Sequence, residues 1–519
     1  MIYKQKINVY IFIIITMIGM SWFNGLVACV SSVILYISTF LSLVYSGLLK
    51  GTSRLFLICS FCSLTVFLMA FPAINNIELW ADEVFVIKYA DALLNPSHYS
   101  TYHKFGGLTP LEQLTVYLWQ STVHNISKEY MEFTYRIPPM IFHSLAAFFF
   151  TLGIAYLLKF HLPPIRKKHW ALLILCFSLF FFNPLLFIYS MELRNYSFSI
   201  LGVCVLIVVF LKNKVSTAAA IPTLLLPGLN FIFHFFILIP TVLISCFQNK
   251  RLVFHHILLL VLIVFYFKQV IDYSKIPSWY YANSNYMSID IHHGIYLLKE
   301  YITKIFGTEK LSIIMILTSL FIMYHVRTII HKSTFMKLAI LLIISLVSIT
   351  ATGLLIKYPF FTTRHFIIAT PLVLMIILYP LILINNKSLH WSIIVMLGCL
   401  VLWIYSDIQM LATGKPFNKS LMGTKLVLSI AEKEDRKIIF NAGDLPIDLR
   451  NYYIMSFNWY KNNYPSINII EEPDITNAIQ TYNKTPQSIL YVLSPGASLN
   501  ALLPIGKTTI FKNVFIAYR

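Results

Sequence analysis

Residues 53–94 read SRLFLICSFCSLTVFLMAFPAINNIELWADEVFVIKYADALL. The first half is an apolar run, 55–74, of the length a helix needs to cross a hydrocarbon core about 30 Å thick, roughly 17–25 residues. The second half brings the first acidic residues of the chain: positions 1–77 contain no Asp or Glu, and then Glu78, Asp82, Glu83 and Asp91 follow in quick succession. A carboxylate at a membrane boundary is costly unless it is paired or hydrated, so each is a candidate for function. Cys59 and Cys62 have redox or zinc spacing, but they lie within the apolar run with no partner motif. They read as small apolar side chains of a membrane helix.

The rest of the chain has the same character. Of 519 residues, 58% are hydrophobic and 12% charged, against roughly 45–50% and 25% in soluble domains, and the mean hydropathy is +0.73. Disordered, collagenous and disulfide-scaffold classes are excluded. The seven cysteines all fall in apolar runs, which argues against a disulfide framework. A net charge of +19 would fit a nucleic-acid partner only with a basic face on a soluble domain. Most Lys and Arg instead sit in short clusters between apolar runs, the pattern of cytoplasmic membrane loops, so the partner is the lipid bilayer and no nucleic acid is expected.

Candidate spans are 7–23, 27–49, 55–74, 138–158, 169–188, 196–211, 216–231, 233–247, 253–271, 311–325, 337–356, 366–384 and 390–406, about 13 transmembrane helices in all. The apolar start runs on into a second apolar segment and so reads as a span, not a cleaved signal. With Lys4 and Lys6 inside, every strong basic cluster falls on the same side: Lys50/Arg54, Arg166–Lys168, Lys212/Lys214, Lys250/Arg251, Arg327–Lys337 and Lys387. The N-terminus is then cytoplasmic, and polar segments 75–137, 272–310 and 407–519 lie outside. The last carries a helical stretch at 418–434 and strand-like runs KIIFNA, INIIEE, SILYVLS and VFIAYR. The expected fold is an α-helical polytopic membrane protein, 1–406, with a small C-terminal α/β extracytoplasmic domain, 407–519.

Acid is scarce elsewhere: between Arg136 and Asp407 only Glu192, Asp272, Asp290, Glu300 and Glu309 occur. The adjacent carboxylates of Asp82 and Glu83 face different directions and can take different roles, one of them general-base work on an attacking hydroxyl. An interfacial helix start with acids in its first turn would look the same. IYSMELRNYSF (188–198) places Glu192, Arg194 and Tyr196 at an outer junction. Glu and Arg two residues apart share no helical face, so both reach other partners or mark the end of a hairpin. Arg136 in YRIPPMIF, and Lys357 and Arg364 around KYPFFTTRHF, are cations on the outer side. Coordination of a lipid phosphate would account for them, as would snorkelling to headgroups. His234 in NFIFHFFIL lies near the outer end of a span, a ligand or an interfacial packing residue. HExxH, paired Cys/His and Asp-x-Asp patterns are absent, so no metal is expected. GxGxxG, Walker A and GxSxG are absent too.

In order and spacing these segments resemble the polytopic GT-C glycosyltransferases, in the bacterial branch related to protein O-mannosyltransferases and to the aminoarabinose transferase acting on lipid A. LWADEVF (79–85) matches that family's acidic pair in the first outer loop. EFTYRIPPMIF (132–142) matches its Arg-containing opening of the next span, and IYSMELRNYSF its Tyr-Ser-x-Glu-x-Arg-x-Tyr-Ser segment. His234-Phe235 matches a later His-aromatic pair, and Arg364-His365 ahead of Pro371 a basic residue before a Pro-containing span. The resemblance covers roughly 75–240 and, more loosely, 350–385. The family's His-Pro-Pro-Leu-Tyr segment is here Leu108-Thr109-Pro110-Leu111-Glu112, so any role of that His or Tyr does not carry over.

What the resemblance implies is an inverting transfer of a sugar from a polyprenyl-phosphate donor to a cell-envelope lipid, glycan or protein on the outer face of a bacterial inner membrane. The implied catalytic residues are Asp82 and Glu83. The implied substrate-binding residues are Arg136, Glu192, Arg194, Tyr196, His234, Lys357 and Arg364, and no cofactor is implied. The topology agrees with such a donor, because a charged nucleotide sugar stays in the cytoplasm. A lipid or oligosaccharide flippase, a polysaccharide polymerase or ligase, and a catalytically inactive relative are the alternatives.

Overall fold

The computed structural model describes residues 53–79, 81–91, 110–123, 130–159, 167–194, 196–212, 291–326, 332–355, 363–413, 423–442, 447–493, 507–511 and 514–518. The expected spans 7–23, 27–49, 216–231, 233–247 and 253–271 lie outside them, as do Leu108, Thr109, His234 and Lys357. The chain divides into two compact units, one of Met1–Met69, Ala90–Trp119 and Arg136–Ile408, the other of Ala70–Tyr89, Gln120–Tyr135 and Gln409–Arg519.

The first unit is helical. Apolar runs become α1 (Ser53–Asn76), α7 (Tyr196–Lys212), α9 (Glu309–Val326) and α10 (Lys332–Leu355). Between α1 and α7 in the chain lie α2 (Ala81–Asp91), most of which belongs to the second unit, and α3 (Pro110–Val123), α4 (Met131–Lys159), α5 (Lys167–Phe181) and α6 (Pro184–Ser190). The amphipathic α8 (Ile291–Phe306) precedes α9, and a 3-10 helix (Thr363–Ala369) leads into α11 (Thr370–Thr413). Among the described residues, Met131–Leu158, Thr334–Ala351, Thr363–Leu383 and Ile393–Leu411 are long and apolar enough to cross a membrane, the composition of a multi-pass membrane protein.

Three differences from the expected spans have local causes. The run 169–188 is broken: α5 and α6 meet at a 64° bend. Pro184 cannot continue the helix that precedes it, and it opens α6 with Asn183 as cap. The runs 366–384 and 390–406 are joined in the 44-residue α11, about 66 Å long at roughly 1.5 Å per residue. The intervening NNKSLH (385–390) carries the expected inner-side charge, Lys387, but no Gly or Pro to end a helix. Arg136 does not open its span from the boundary. It sits inside α4, which starts at Met131, and is fully buried and engaged with its neighbours.

The second unit holds a five-stranded sheet, order β2-β1-β3-β5-β4. Its strands are β1 (Lys437–Asn441), β2 (Ile469–Glu471), β3 (Ser488–Leu493), β4 (Lys507–Phe511) and β5 (Val514–Tyr518). β1 runs parallel to β2 and β3, whereas β5 is antiparallel to β3 and β4. Helix α12 (Thr424–Lys433) leads into β1, α13 (Ile447–Lys461) joins β1 to β2, and α14 (Ile475–Lys484) joins β2 to β3. Ile439, Leu490, Val492, Phe515 and Ala517 pack with Ala478 and Tyr482 of α14 as an apolar core. β3, the central strand, is buried at every position, as a strand covered on both faces must be.

Candidate functional site

Asp82 lies in the first turn of α2, where the helix dipole favours a carboxylate. Glu83 follows it, fully buried and engaged with neighbouring groups. Adjacent helical positions diverge by about 100°, so the pair cannot serve a single point. The segment before Asp82 is held by residues far away in sequence. The Lys425 backbone N–H donates to Glu78 Oε1 at 2.6 Å, and the Leu79 N–H donates to Tyr460 Oη at 2.7 Å. Lys425 Nζ forms a 2.7 Å ion pair with Glu132, whose side chain is fully buried. Phe71 packs edge-on against Phe133 with ring centroids 4.6 Å apart. Glu78 and Glu132, acids of the polar segment 75–137, are thus both tied to α12.

Burial pushes the Glu78 carboxyl up from its ordinary 4.5 to about 7; the Lys425 N–H opposes this and the charge of Glu132 adds to it. An acid whose pKa rises on folding stabilises the fold in its neutral form. Its contribution is complete below about pH 4.5, is lost as pH rises to about 7, and is constant above that. The corresponding difference is on the order of 3 kcal/mol. Glu78→Gln keeps an acceptor for Lys425 and removes the ionisation. Thermal unfolding followed at pH 5 and pH 8 is expected to show the variant gaining on wild type only at pH 8; an equal gain at both values contradicts this role.

In the other unit residues 191–194 of the IYSMELRNYSF segment form a tight turn after α6. The Met191 N–H donates to Ile188 O at 3.2 Å to close α6, and the Arg194 N–H donates to Glu192 O at 2.7 Å within the turn. Ser197 Oγ returns from α7 to Tyr189 O at 3.1 Å. The rings of Tyr189 and Tyr196 lie 4.6 Å apart, and Arg194 Cζ stands 5.8 Å from the centroid of Tyr196, within cation–π range. Arg364 comes from the 3-10 helix. Lys304 of α8 pins that helix by donating to Thr363 Oγ1 at 2.9 Å, while also pairing with Glu300 at 2.7 Å. Tyr301 adds a 3.1 Å hydrogen bond to Thr370 Oγ1 and a ring contact to Phe366.

Glu192, Arg194, Tyr196 and Arg364 all act electrostatically on the Tyr189 hydroxyl. Four residues singled out in the sequence thus bear on one that was not, Tyr189. Two guanidinium groups against one carboxylate leave the cluster net positive at the end of apolar helices, which suits an anionic headgroup. Tyr189 and Lys304 were passed over in sequence. Tyr189 lies in the quoted motif without a charge to mark it, and Lys304 is one of several lysines in a polar stretch. Among the described residues, no three of His, Cys, Asp and Glu gather where a metal ion could sit.

Asn183 sets the corner's approach. Its side chain accepts from the Leu186 N–H at 3.3 Å and donates through Nδ2 to Ile305 O of α8 at 2.8 Å. Asn183→Ala removes the cap and strands a buried carbonyl, a loss of about 1–3 kcal/mol. Thermal unfolding is expected to shift down for Asn183→Ala, and also for Asn183→Asp, which keeps the cap but sets a second acceptor against Ile305 O; an Asp variant as stable as wild type contradicts the donor role.

No family model and no curated protein matches the chain. Two crystal structures are similar to it. ArnT from Cupriavidus metallidurans in the apo state is 9% identical, with 88% of this chain and 97% of that one covered at a TM-score of 0.46. The same protein bound to undecaprenyl phosphate is 8% identical, with 90% and 98% covered at a TM-score of 0.46.

Proposed function

We propose that this chain is an integral-membrane glycosyltransferase of the GT-C kind. It moves a sugar from a polyprenyl-phosphate donor to an acceptor hydroxyl on the outer face of the bacterial inner membrane, with inversion at the anomeric carbon. The observation that carries the reading is the turn that sets Glu192, Arg194 and Tyr196 beside Tyr189, with the Tyr189 and Tyr196 rings 4.6 Å apart and Arg194 5.8 Å from the Tyr196 centroid. The motif order from LWADEVF to Arg364-His365 supports it from the sequence side.

In this mechanism Asp82 accepts the proton of the acceptor hydroxyl as its oxygen attacks the anomeric carbon. The bond from that carbon to the phosphate oxygen breaks, and polyprenyl phosphate leaves with one more negative charge than the donor carried. Arg194 and Arg364 stabilise that growing charge from fixed positions, which is worth most where water is scarce. Glu192 orients the two cations, and Tyr196 stacks under Arg194. Glu83 and Arg136, both buried, hold their helices, and His234 and Lys357 contribute to substrate binding. The N-terminus lies in the cytoplasm and the 407–519 region outside. Purified protein given a radiolabelled polyprenyl-phosphate hexose and a cell-envelope extract tests the reading. Label is expected to move into the extract with wild type and to stay on the donor with Asp82→Asn. Folded wild type that moves no label, or equal transfer by both proteins, overturns the reading.

A further inference from the structure

Within the unit that carries Asp82 is a cavity of about 180 Å³, lined by Lys88, Thr134, Tyr135, Trp459, Asn462 and Asn463 with two apolar side chains. It is built from four stretches: α2, the last residue of α3, the start of α4, and the end of α13 with the two residues after it. Trp459, Asn462 and Asn463 fall at i, i+3 and i+4, the spacing that puts side chains on one face of a helical turn. Trp459 is nine-tenths buried, edge-on to Tyr135 with ring centroids 5.8 Å apart, and to Tyr460 at 4.9 Å. Its indole N–H and the Asn462 amide have no hydrogen-bond partner among the described residues. The Asn463 amide nitrogen leans on Trp459 O at 3.5 Å and on Met131 Sδ at 3.7 Å, which turns its carbonyl oxygen to other acceptor work.

We propose that this cavity binds one pyranose ring of a saccharide, which makes a glycan the acceptor class of the enzyme. A cavity of about 150 Å³ takes a benzene ring, so this one accommodates a single six-membered ring with its substituents reaching the mouth. A rigid indole beside primary amides that both donate and accept matches the alternating C–H faces and hydroxyl edges of a sugar. A phosphate or nucleotide would call for several cations, and Lys88 is the one charged group in the lining; a lipid tail would call for an apolar wall. Lys88 and Asp82 share α2 six residues apart, about 9 Å along the axis. Six residues also turn the helix by about 600°, so the two positions lie on faces about 120° apart, and only a glycan of several units seated at Lys88 spans to the proposed base. The acceptor assignment rests on the transferase reading, whereas the binding site stands by itself.

The test uses the full chain in lipid nanodiscs without donor, with triacetylchitotriose and maltotriose as probes read by saturation-transfer NMR. Transfer to the ring hydrogens of at least one trisaccharide is expected. It should fall at least fivefold in Trp459→Ala and in Asn462→Trp, a change at an exposed position that fills the mouth and leaves the packed core intact. No transfer to either probe, or transfer undiminished in Asn462→Trp, overturns the site. Enzyme that moves sugar from the donor while Asn462→Trp binds trisaccharide like wild type refutes the glycan site and leaves the transferase reading standing. Saccharide binding lost in Asn462→Trp, with no sugar transfer by wild type, does the reverse.

Discussion

Asp82→Asn lowers turnover by about 10²–10⁴-fold, the range expected when a positioned base is lost, while donor binding changes little. The substitution keeps the size and helical position of the side chain and removes only its capacity to accept the proton, so kcat should carry the loss. Asp82→Glu retains a carboxylate at a shifted place and is expected to recover part of the rate. The position of Asp82 depends on contacts outside α2, because Glu78 and Leu79 just before it are tied to Lys425 and Tyr460. A variant with less than a tenfold loss in kcat would remove Asp82 from the chemistry and leave it as an acid in a helix's first turn.

Arg364→Ala is expected to lower turnover by about 10²–10³-fold, comparable to losing one preorganised donor to a developing anion. The effect should fall on kcat more than on KM, since the phosphate gains charge only as it leaves. Arg364→Lys restores a charge without the planar fork and should recover the rate in part. Arg194 and Arg364 both bear on Tyr189, so the double alanine variant should lose less than the product of the two single losses. Strict multiplicativity in steady-state kinetics would show that the two guanidinium groups serve separate sites.

The parts of the fold that a bilayer or a two-residue alternation dictates were legible in the sequence. The runs 55–74, 196–211, 311–325 and 337–356 coincide with α1, α7, α9 and α10, and KIIFNA, SILYVLS and VFIAYR with β1, β3 and β5. Features that hang on one residue's local chemistry were less so. The apolar run over 169–188 hides the Asn183-Pro184 break, and Lys387 looked like a loop although nothing around it ends a helix. β4 (Lys507–Phe511) was passed over although its Thr-Thr-Ile-Phe run favours a strand, and it pairs with β5 two residues on.

Of the proposed site, the charged residues of IYSMELRNYSF and Arg364 drew notice because charge stands out against an apolar background. Tyr189, which lies among them, was not. The tie between Glu78 and Lys425, 347 residues apart, and the cavity at Trp459 arise only from tertiary contact. Glu78 and Glu132 show the limit of reasoning from scarce acid: both earned notice as outer-loop carboxylates, and both are structural anchors for α12.

The central claim is that sugar leaves its lipid on this protein. The most direct measurement reconstitutes the full chain in liposomes with a doubly labelled polyprenyl-phosphate hexose and a glycan acceptor, then counts free polyprenyl phosphate against sugar on the acceptor. One polyprenyl phosphate released for each sugar transferred is the predicted result. Label that crosses the bilayer with its sugar still joined to the lipid would contradict it and make the protein a flippase.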